Sequence, residues 1–299
     1  MKMAMGEVRS QKSEVGSPAL PTSHFPLPAL VVGRVPYLNC APFFQGLALD
    51  ESPARLGEQG PGGWEWVDVP PRRLGVEAEA GRILAGPMAL TDFLRLQDRF
   101  ERLGPLGIAV RGRSGSTLLL SKKPIRQLDG STIAVTEDSS TTALLLRLIL
   151  EVRYELKPKA YLPAPASAQG GPGIQDAEAM LLIGDEALRS HVANRRYPYE
   201  VDLAFEWWVW QHLPMVFAVW AVRKDCAPSD KQYLSRALQT QLAKNLGRLD
   251  AIAKEHAEPL GMPAEDLQSY LEAFVYRLSQ PEEQAITQFE QLIHAHHLL

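Results

Sequence analysis

The sequence predicts an α/β fold with mostly parallel strands, and three observations carry that prediction. From Ala29 onward, short runs rich in Val, Ile and Leu alternate with longer stretches whose apolar residues recur at helical spacing. Gly/Pro-rich segments at 52–64 and 164–174 read as exposed connections between such units. After Asp225 the pattern turns helical throughout. The first strand is expected at 29–35 (ALVVGRV), with others at 65–69, 82–86, 106–111, 116–121, 132–136, 178–183 and 214–223. Helices are expected at 41–49, 71–80, 90–100 and 140–153. In the last of these Leu144, Leu145, Leu148 and Ile149 share one face behind a cluster of hydroxyl residues. Beyond Asp225 one amphipathic helix starts near Ser229 and carries Leu234, Leu238, Leu242, Leu246, Leu249 and Ile252. Two more are opened by Pro263 and Pro281. The first buries Leu267, Leu271, Phe274 and Leu278, the second Ile286, Phe289 and Leu292. These C-terminal helices read as packing rather than chemistry, and no internal repeat is visible.

Composition narrows the function. The 299 residues suffice for one large domain or two modest ones, and 45% hydrophobic with 22% charged residues is the balance of a soluble globular protein. A formal charge of −4 without a basic run offers no footprint for a phosphate backbone, which argues against nucleic acid as a partner. Cys40 and Cys226 match no metal-ligand spacing and are too few for a disulfide framework, as a reducing cytoplasm would have it. Lys2, Arg9 and Lys12 precede an uncharged stretch, but Pro18, Pro21, Pro26 and Pro28 break it, so residues 1–28 read as a flexible leader and not a signal peptide. The longest apolar run elsewhere, Leu213 to Val222, is about half of a bilayer span, so no membrane association is expected. His294, His296 and His297 lack partner ligands and read as a frayed tail. With no His/Cys/Asp cluster, P-loop or Rossmann fingerprint, neither a metal nor an organic cofactor is expected.

Five segments hold the candidate chemistry. The first strand ends in Gly33-Arg34-Val35-Pro36-Tyr37-Leu38-Asn39-Cys40, and ligands of open α/β sheets sit outside the carboxyl ends of strands. Tyr37 and Asn39 therefore stand either at a ligand or as packing and turn residues; Cys40 reads as a small buried hydrophobe. In Thr136-Glu137-Asp138-Ser139-Ser140-Thr141-Thr142, four hydroxyls sit in a row at a helix start where one would cap it. The surplus points to a cradle for a carboxylate or phosphate. Arg111-Gly112-Arg113-Ser114-Gly115-Ser116-Thr117 reads as a glycine-rich junction or hinge. In Leu181-Leu182-Ile183-Gly184-Asp185-Glu186-Ala187-Leu188, Asp185 either faces a pocket or caps the next helix. Phe205-Glu206-Trp207-Trp208-Val209-Trp210 reads as packing.

In order, VGRVPYLNCAPFF, GSTLLLSKKPIRQLDGSTIAVTEDSSTTALLLRLIL, AEAMLLIGDEAL and VDLAFEWWVWQHLPMVFAVWAVRKD resemble the signature blocks of the chorismate dehydratase family of the futalosine route to menaquinone, from about Leu30 to the C-terminus. The resemblance implies a type II periplasmic-binding-protein fold, two α/β lobes around a cleft, serving as a cytoplasmic enzyme, monomer or homodimer. Crossovers near 112–117 and 211–216 would make lobe 1 discontinuous, 29–114 with 215–299, and lobe 2 residues 115–214. The implied reaction dehydrates chorismate to 3-[(1-carboxyvinyl)oxy]benzoate. Asn39 would be the central polar contact with Tyr37 beside it. Ser116, Ser139, Ser140, Thr141 and Thr142 would bind carboxylate oxygens, and Gly184 and Met88 would complete the pocket. The base is either Asp185 or the substrate's own enolpyruvyl carboxylate; an enzyme acid close to a dianion would repel it. Pro36 and Gly86-Pro87-Met88-Ala89 depart from the family's pattern. A solute-binding protein shares the fold, and so does the sister enzyme forming 1,4-dihydroxy-6-naphthoate, whose first strand is expected to end in a Pro-Asn-Asp type motif instead of Tyr-Leu-Asn.

Overall fold

A computed structural model describes residues 30–49, 63–164, 176–193 and 197–298. The expected leader and most of the two Gly/Pro-rich connections lie outside the described residues. The rest forms two sheets, each flanked by helices.

The first sheet is built around β1 (Leu30–Arg34), whose Val32 is wholly buried. It pairs in parallel with β2 (Trp64–Asp68) and β3 (Ala85–Ala89). Beyond β3 lie β10 (Met215–Arg223), β4 (Phe100–Val110) and β11 (Phe274–Arg277), giving the order β11-β4-β10-β3-β1-β2. The second sheet has the order β7-β6-β8-β5-β9, from β5 (Thr117–Ser121), β6 (Thr132–Thr136), β7 (Ala160–Ala164), β8 (Ala179–Ile183) and β9 (Tyr199–Asp202). The chain leaves the first sheet after Val110, enters the second at Thr117, and returns between Asp202 and Met215.

That double crossing corrects the expectation of mostly parallel strands. The returning β10 runs antiparallel to both β3 and β4, and β5 runs antiparallel to both β8 and β9. Parallel pairing is confined to β1 with its two neighbours and β6 with its two. The third strand also sits three residues later than expected, since its register is fixed by Val32↔Ala85 and by β10. Pro87 fits there because β1 reaches only Ala85, so its missing N–H removes no bond on that side.

Two more corrections concern the C-terminal helices. The expected single helix is two, α7 (Pro228–Leu246) and α8 (Leu249–Leu260), because Gly247 ends the first and Arg248 leaves helical geometry at φ −145°, ψ 38°. The helix opened by Pro263 is α9 (Ala264–Glu272), and Phe274 belongs to β11, where Phe274 and Tyr276 alternate inward. The β-branched and aromatic character of Phe-Val-Tyr and pairing with the free edge of β4 override the helical spacing. The last helix, α10 (Gln280–Ala295), opens with a Ser279–Glu282 capping box. Between the sheets run α6 (Leu203–Gln211) and the second crossover. Trp207 there is wholly buried, donates from Nε1 to the Pro214 carbonyl at 3.0 Å, and meets Phe289 edge-on at 5.8 Å. That tryptophan cluster is packing, as expected.

Candidate functional site

Between the two sheets lies a partly open cavity, whose empty space is about 570 Å³ when the solvent at its mouth is counted. From the first sheet's half it takes Val35, Tyr37, Asn39 and Cys40 after β1, Pro87 and Ala89 of β3, Ile108, Phe217, Ala218 and Phe274. From the second it takes Ser116, Thr117, the run Ser139 to Thr142, Ile183 and Gly184. Eight of the ten residues expected at a site therefore meet here: Tyr37, Asn39, Ser116, Ser139, Ser140, Thr141, Thr142 and Gly184. Met88 does not. It is fully buried opposite Val219, because strand alternation sends Pro87 and Ala89 to the cavity and Met88 to the core. Asp185 is also absent from the lining. Its Oδ1 accepts the Leu38 N–H at 2.9 Å, so it steadies the turn that carries Asn39.

The geometry follows from local rules. After β1 the chain makes a 3₁₀ turn at Leu38–Cys40 and enters α1 (Ala41–Phe44), with Pro42 in the first turn. This exposes Asn39 at the carboxyl end of the sheet. Asn39 Oδ1 receives the Cys40 thiol at 3.4 Å, which leaves the amide N–H groups for a ligand. Burial pushes the Cys40 thiol well above its usual range, with Asp185 adding to the effect, so Cys40 is no nucleophile. Burial and then Asp138 raise the Tyr37 phenol likewise. A bulge places two consecutive residues, Phe217 and Ala218, on the cavity: Val216 pairs with Ala109 and Ala218 with Ile108, leaving Phe217 extra.

The hydroxyl run divides its labour. Ser139 Oγ accepts the Thr142 N–H at 3.1 Å in the first turn of α4 (Thr141–Arg147), which continues as a π-helical segment over Leu148–Arg153. Thr141 Oγ1 accepts the Thr91 N–H at 3.1 Å from α3 (Leu90–Arg95) across the cleft. A hydroxyl whose oxygen is so engaged keeps its proton to donate, and Thr141 lines the cavity. Ser140 differs: its Oγ–H is turned to Asp92 Oδ2 at 2.7 Å, making it an interlobe fastening. Asp92 is buried, and burial raises its carboxyl above the ordinary range against the Ser140 bond and the Arg95 charge.

That shift predicts a pH dependence. A carboxyl raised in the folded state contributes most below its unfolded pKa and loses that contribution as pH rises through the folded value. Asp92→Asn is therefore expected to gain thermal stability relative to the native protein as pH is raised from 4 toward neutrality. A constant difference in melting temperature between the two over that range would mean Asp92 titrates as an ordinary surface acid.

A family model described as menaquinone biosynthesis matches residues 30–295. The chain belongs to the menaquinone biosynthesis family. Within 278 aligned residues it is 29% identical to the chorismate dehydratase of Thermus thermophilus, over 88% of this chain and 94% of that one. Among solved structures, a protein of Archaeoglobus fulgidus superposes with a TM-score of 0.70 at 18% identity, over 91% of this chain and 98% of that chain. A Candida albicans protein, described as exhibiting the generic periplasmic binding protein structural fold, gives 0.59 at 12% identity, over 91% of each chain. The fold of this menaquinone biosynthesis protein is thus that of the periplasmic binding proteins, two α/β lobes with the cavity between them. Sequence reading missed Phe217 and Phe274 in the lining, because one depends on a bulge and the other on an edge strand formed far along the chain. Among the described residues no helix is long and apolar enough to cross a membrane.

Proposed function

We propose that this protein is a chorismate dehydratase, forming 3-[(1-carboxyvinyl)oxy]benzoate and water for menaquinone biosynthesis, with lobes 29–114 plus 215–299 and 115–214 holding the substrate between them. The family and its chorismate dehydratase relative support the reaction. The observation that carries the mechanism is the chemistry of the lining: among the described residues none that lines the cavity is Asp, Glu, His, Lys or Arg. Neutral hydroxyls and an amide bind carboxylates by donated hydrogen bonds, and they accept no proton at neutral pH.

The base in such a cavity is the substrate's own enolpyruvyl carboxylate. It takes the C3 proton, the C3–H electron pair enters the ring, the C4–O bond breaks, and the departing hydroxide collects the proton as water. Charge released at C3 spreads through the adjoining double bond to the ring carboxylate. Donors from Ser139, Thr141 and Thr142 at the start of α4 stabilise it there. Asn39 donates to the departing oxygen, Tyr37 walls the ring, and the apolar side of Ile108, Phe217 and Phe274 excludes water and strengthens these bonds.

Pure protein incubated with chorismate is expected to generate the ultraviolet absorbance of the aromatic enol ether. Asn39→Ala should lower kcat by about a hundredfold, the scale of a positioned donor. Asp185→Asn keeps an acceptor for the Leu38 N–H and should spare most of kcat. Near-complete silencing by Asp185→Asn would instead make Asp185 the base, and chorismate bound without turnover by the native protein would favour a solute-binding role.

A further inference from the structure

Tyr270 lies on α9, among helices that sequence pattern assigns to packing, and its ring meets Phe274 edge-on at 5.0 Å. It does not line the cavity, and only 8% of it is exposed. Its hydroxyl nevertheless donates to Ser116 Oγ at 2.9 Å, joining residues 154 positions apart on opposite lobes. Ser116 is 1% exposed and lines the cavity, where its backbone carbonyl also accepts the Gly184 N–H at 2.9 Å.

A serine hydroxyl rotates freely unless a neighbour fixes it, and its one proton goes to whichever acceptor it faces. Once its oxygen accepts from Tyr270, its own O–H is directed away from the tyrosine and into the cavity. The donated bond also polarises that O–H and strengthens it toward an anion. Burial holds the Tyr270 phenol far above its ordinary range, so it keeps its proton at every working pH. Ser116 then completes a set with Ser139 and Thr141, each a hydroxyl whose oxygen accepts a hydrogen bond from the protein.

We propose that Tyr270 is a positioning residue, whose hydroxyl turns the Ser116 O–H toward a carboxylate oxygen of the bound substrate. The inference rests on the dehydratase reading and adds to it a contribution from the C-terminal helices. It also makes the tyrosine sensitive to lobe closure, since donor and acceptor belong to different sheets' halves.

The test is a double-mutant cycle on chorismate turnover with Tyr270→Phe, Ser116→Ala and the double variant. Ser116→Ala is expected to lower kcat/KM by about 10- to 100-fold, the worth of one charge-assisted hydrogen bond. Tyr270→Phe, which keeps the ring, should raise KM by about three- to tenfold with kcat within about twofold, because an aimed bond is weakened and not deleted. In the Ser116→Ala background Tyr270→Phe should cost less than about twofold. Equal losses in both backgrounds, or unchanged kinetics of Tyr270→Phe, would overturn the proposal and leave Tyr270 a packing residue. Should Tyr270→Phe fail to fold, 3-fluorotyrosine at position 270 retains the hydroxyl as a stronger donor. A lower KM then supports the proposal, and an unchanged or higher KM overturns it. A native protein inert toward chorismate removes the dehydratase reading itself, and this inference with it, whereas active native protein with uncoupled variants removes the inference alone.

Discussion

Gly184→Ala is expected to cost at least about a hundredfold in kcat/KM and to lower the melting temperature by several degrees. Two separate reasons converge on this position. Gly184 has φ +59°, in the left-handed region where a Cβ costs about 1–2 kcal/mol. The added Cβ would also lie 2.7 Å from Tyr37 Cδ2 and 2.8 Å from Cε2, well inside van der Waals contact. Tyr37 cannot yield freely, because it is largely buried, with Asp138 near enough to raise its phenol, and its ring walls the cavity. The clash therefore pries apart two lobes at the residues that hold the substrate. Misplacement of about 1 Å at reacting groups is enough for a loss on this scale. Combining Gly184→Ala with Tyr37→Ala separates the two causes: the steric part should vanish, leaving only the backbone strain in the melting temperature. Native kinetics in Gly184→Ala would mean that the ring of Tyr37 does not rest on Gly184 in the working enzyme.

How much of this was legible beforehand depends on whether the information was local. The strand Thr132–Thr136 and the hydroxyl run behind it stand where the sequence places them, because a β-branched run followed by a hydroxyl-rich helix start is written in adjacent residues. Met88 shows the opposite. Expecting the strand to end at 86 puts Met88 in the turn beyond it, where a ligand would sit, whereas the strand runs from Ala85 to Ala89 and its alternation turns Met88 into the core. Only pairing with Val32 and with β10 decides that register. Phe274 was hidden because Leu267, Leu271, Phe274 and Leu278 fit a helix equally well. What draws Phe274–Arg277 into a strand is the open edge of β4, which local spacing does not reveal. Tyr270 went unnoticed for the same reason, its partner being 154 residues away.

The hinge yields the second large effect. Asp202, at the end of β9, is 5% exposed and accepts the Ser114 N–H at 2.8 Å, the Gly115 N–H at 2.7 Å and, as cap of α6, the Phe205 N–H at 3.1 Å. One carboxylate thereby ties the outgoing crossover to the returning one. Arg113 lies over the Phe205 ring at 4.3 Å and reinforces the same tie. Gly115 takes φ +69°, which lets its N–H and that of Ser114 converge on a single acceptor. Asp202→Ala leaves those three donors without their acceptor, at about 1–3 kcal/mol for each buried donor that water does not reach. The Ser114 N–H is buried and the Gly115 and Phe205 N–H groups are part-buried, so the loss is about 1–3 kcal/mol for the first with smaller additions from the other two, a large fraction of an ordinary domain's stability of about 5–15 kcal/mol. Asp202→Ala is therefore expected to lose a few kcal/mol of stability, read as a clearly lower urea midpoint. Asp202→Asn, which keeps one acceptor oxygen, should fall between it and the native protein. Where Asp202→Asn remains folded, KM should rise more than kcat falls, since the hinge sets how the lobes meet around the substrate and not the chemistry within. Urea titration followed by intrinsic tryptophan fluorescence measures the first effect and steady-state turnover of chorismate the second. A loss of less than about 1 kcal/mol in Asp202→Ala would show that water takes over the three donors and that the crossovers hold together without the clamp.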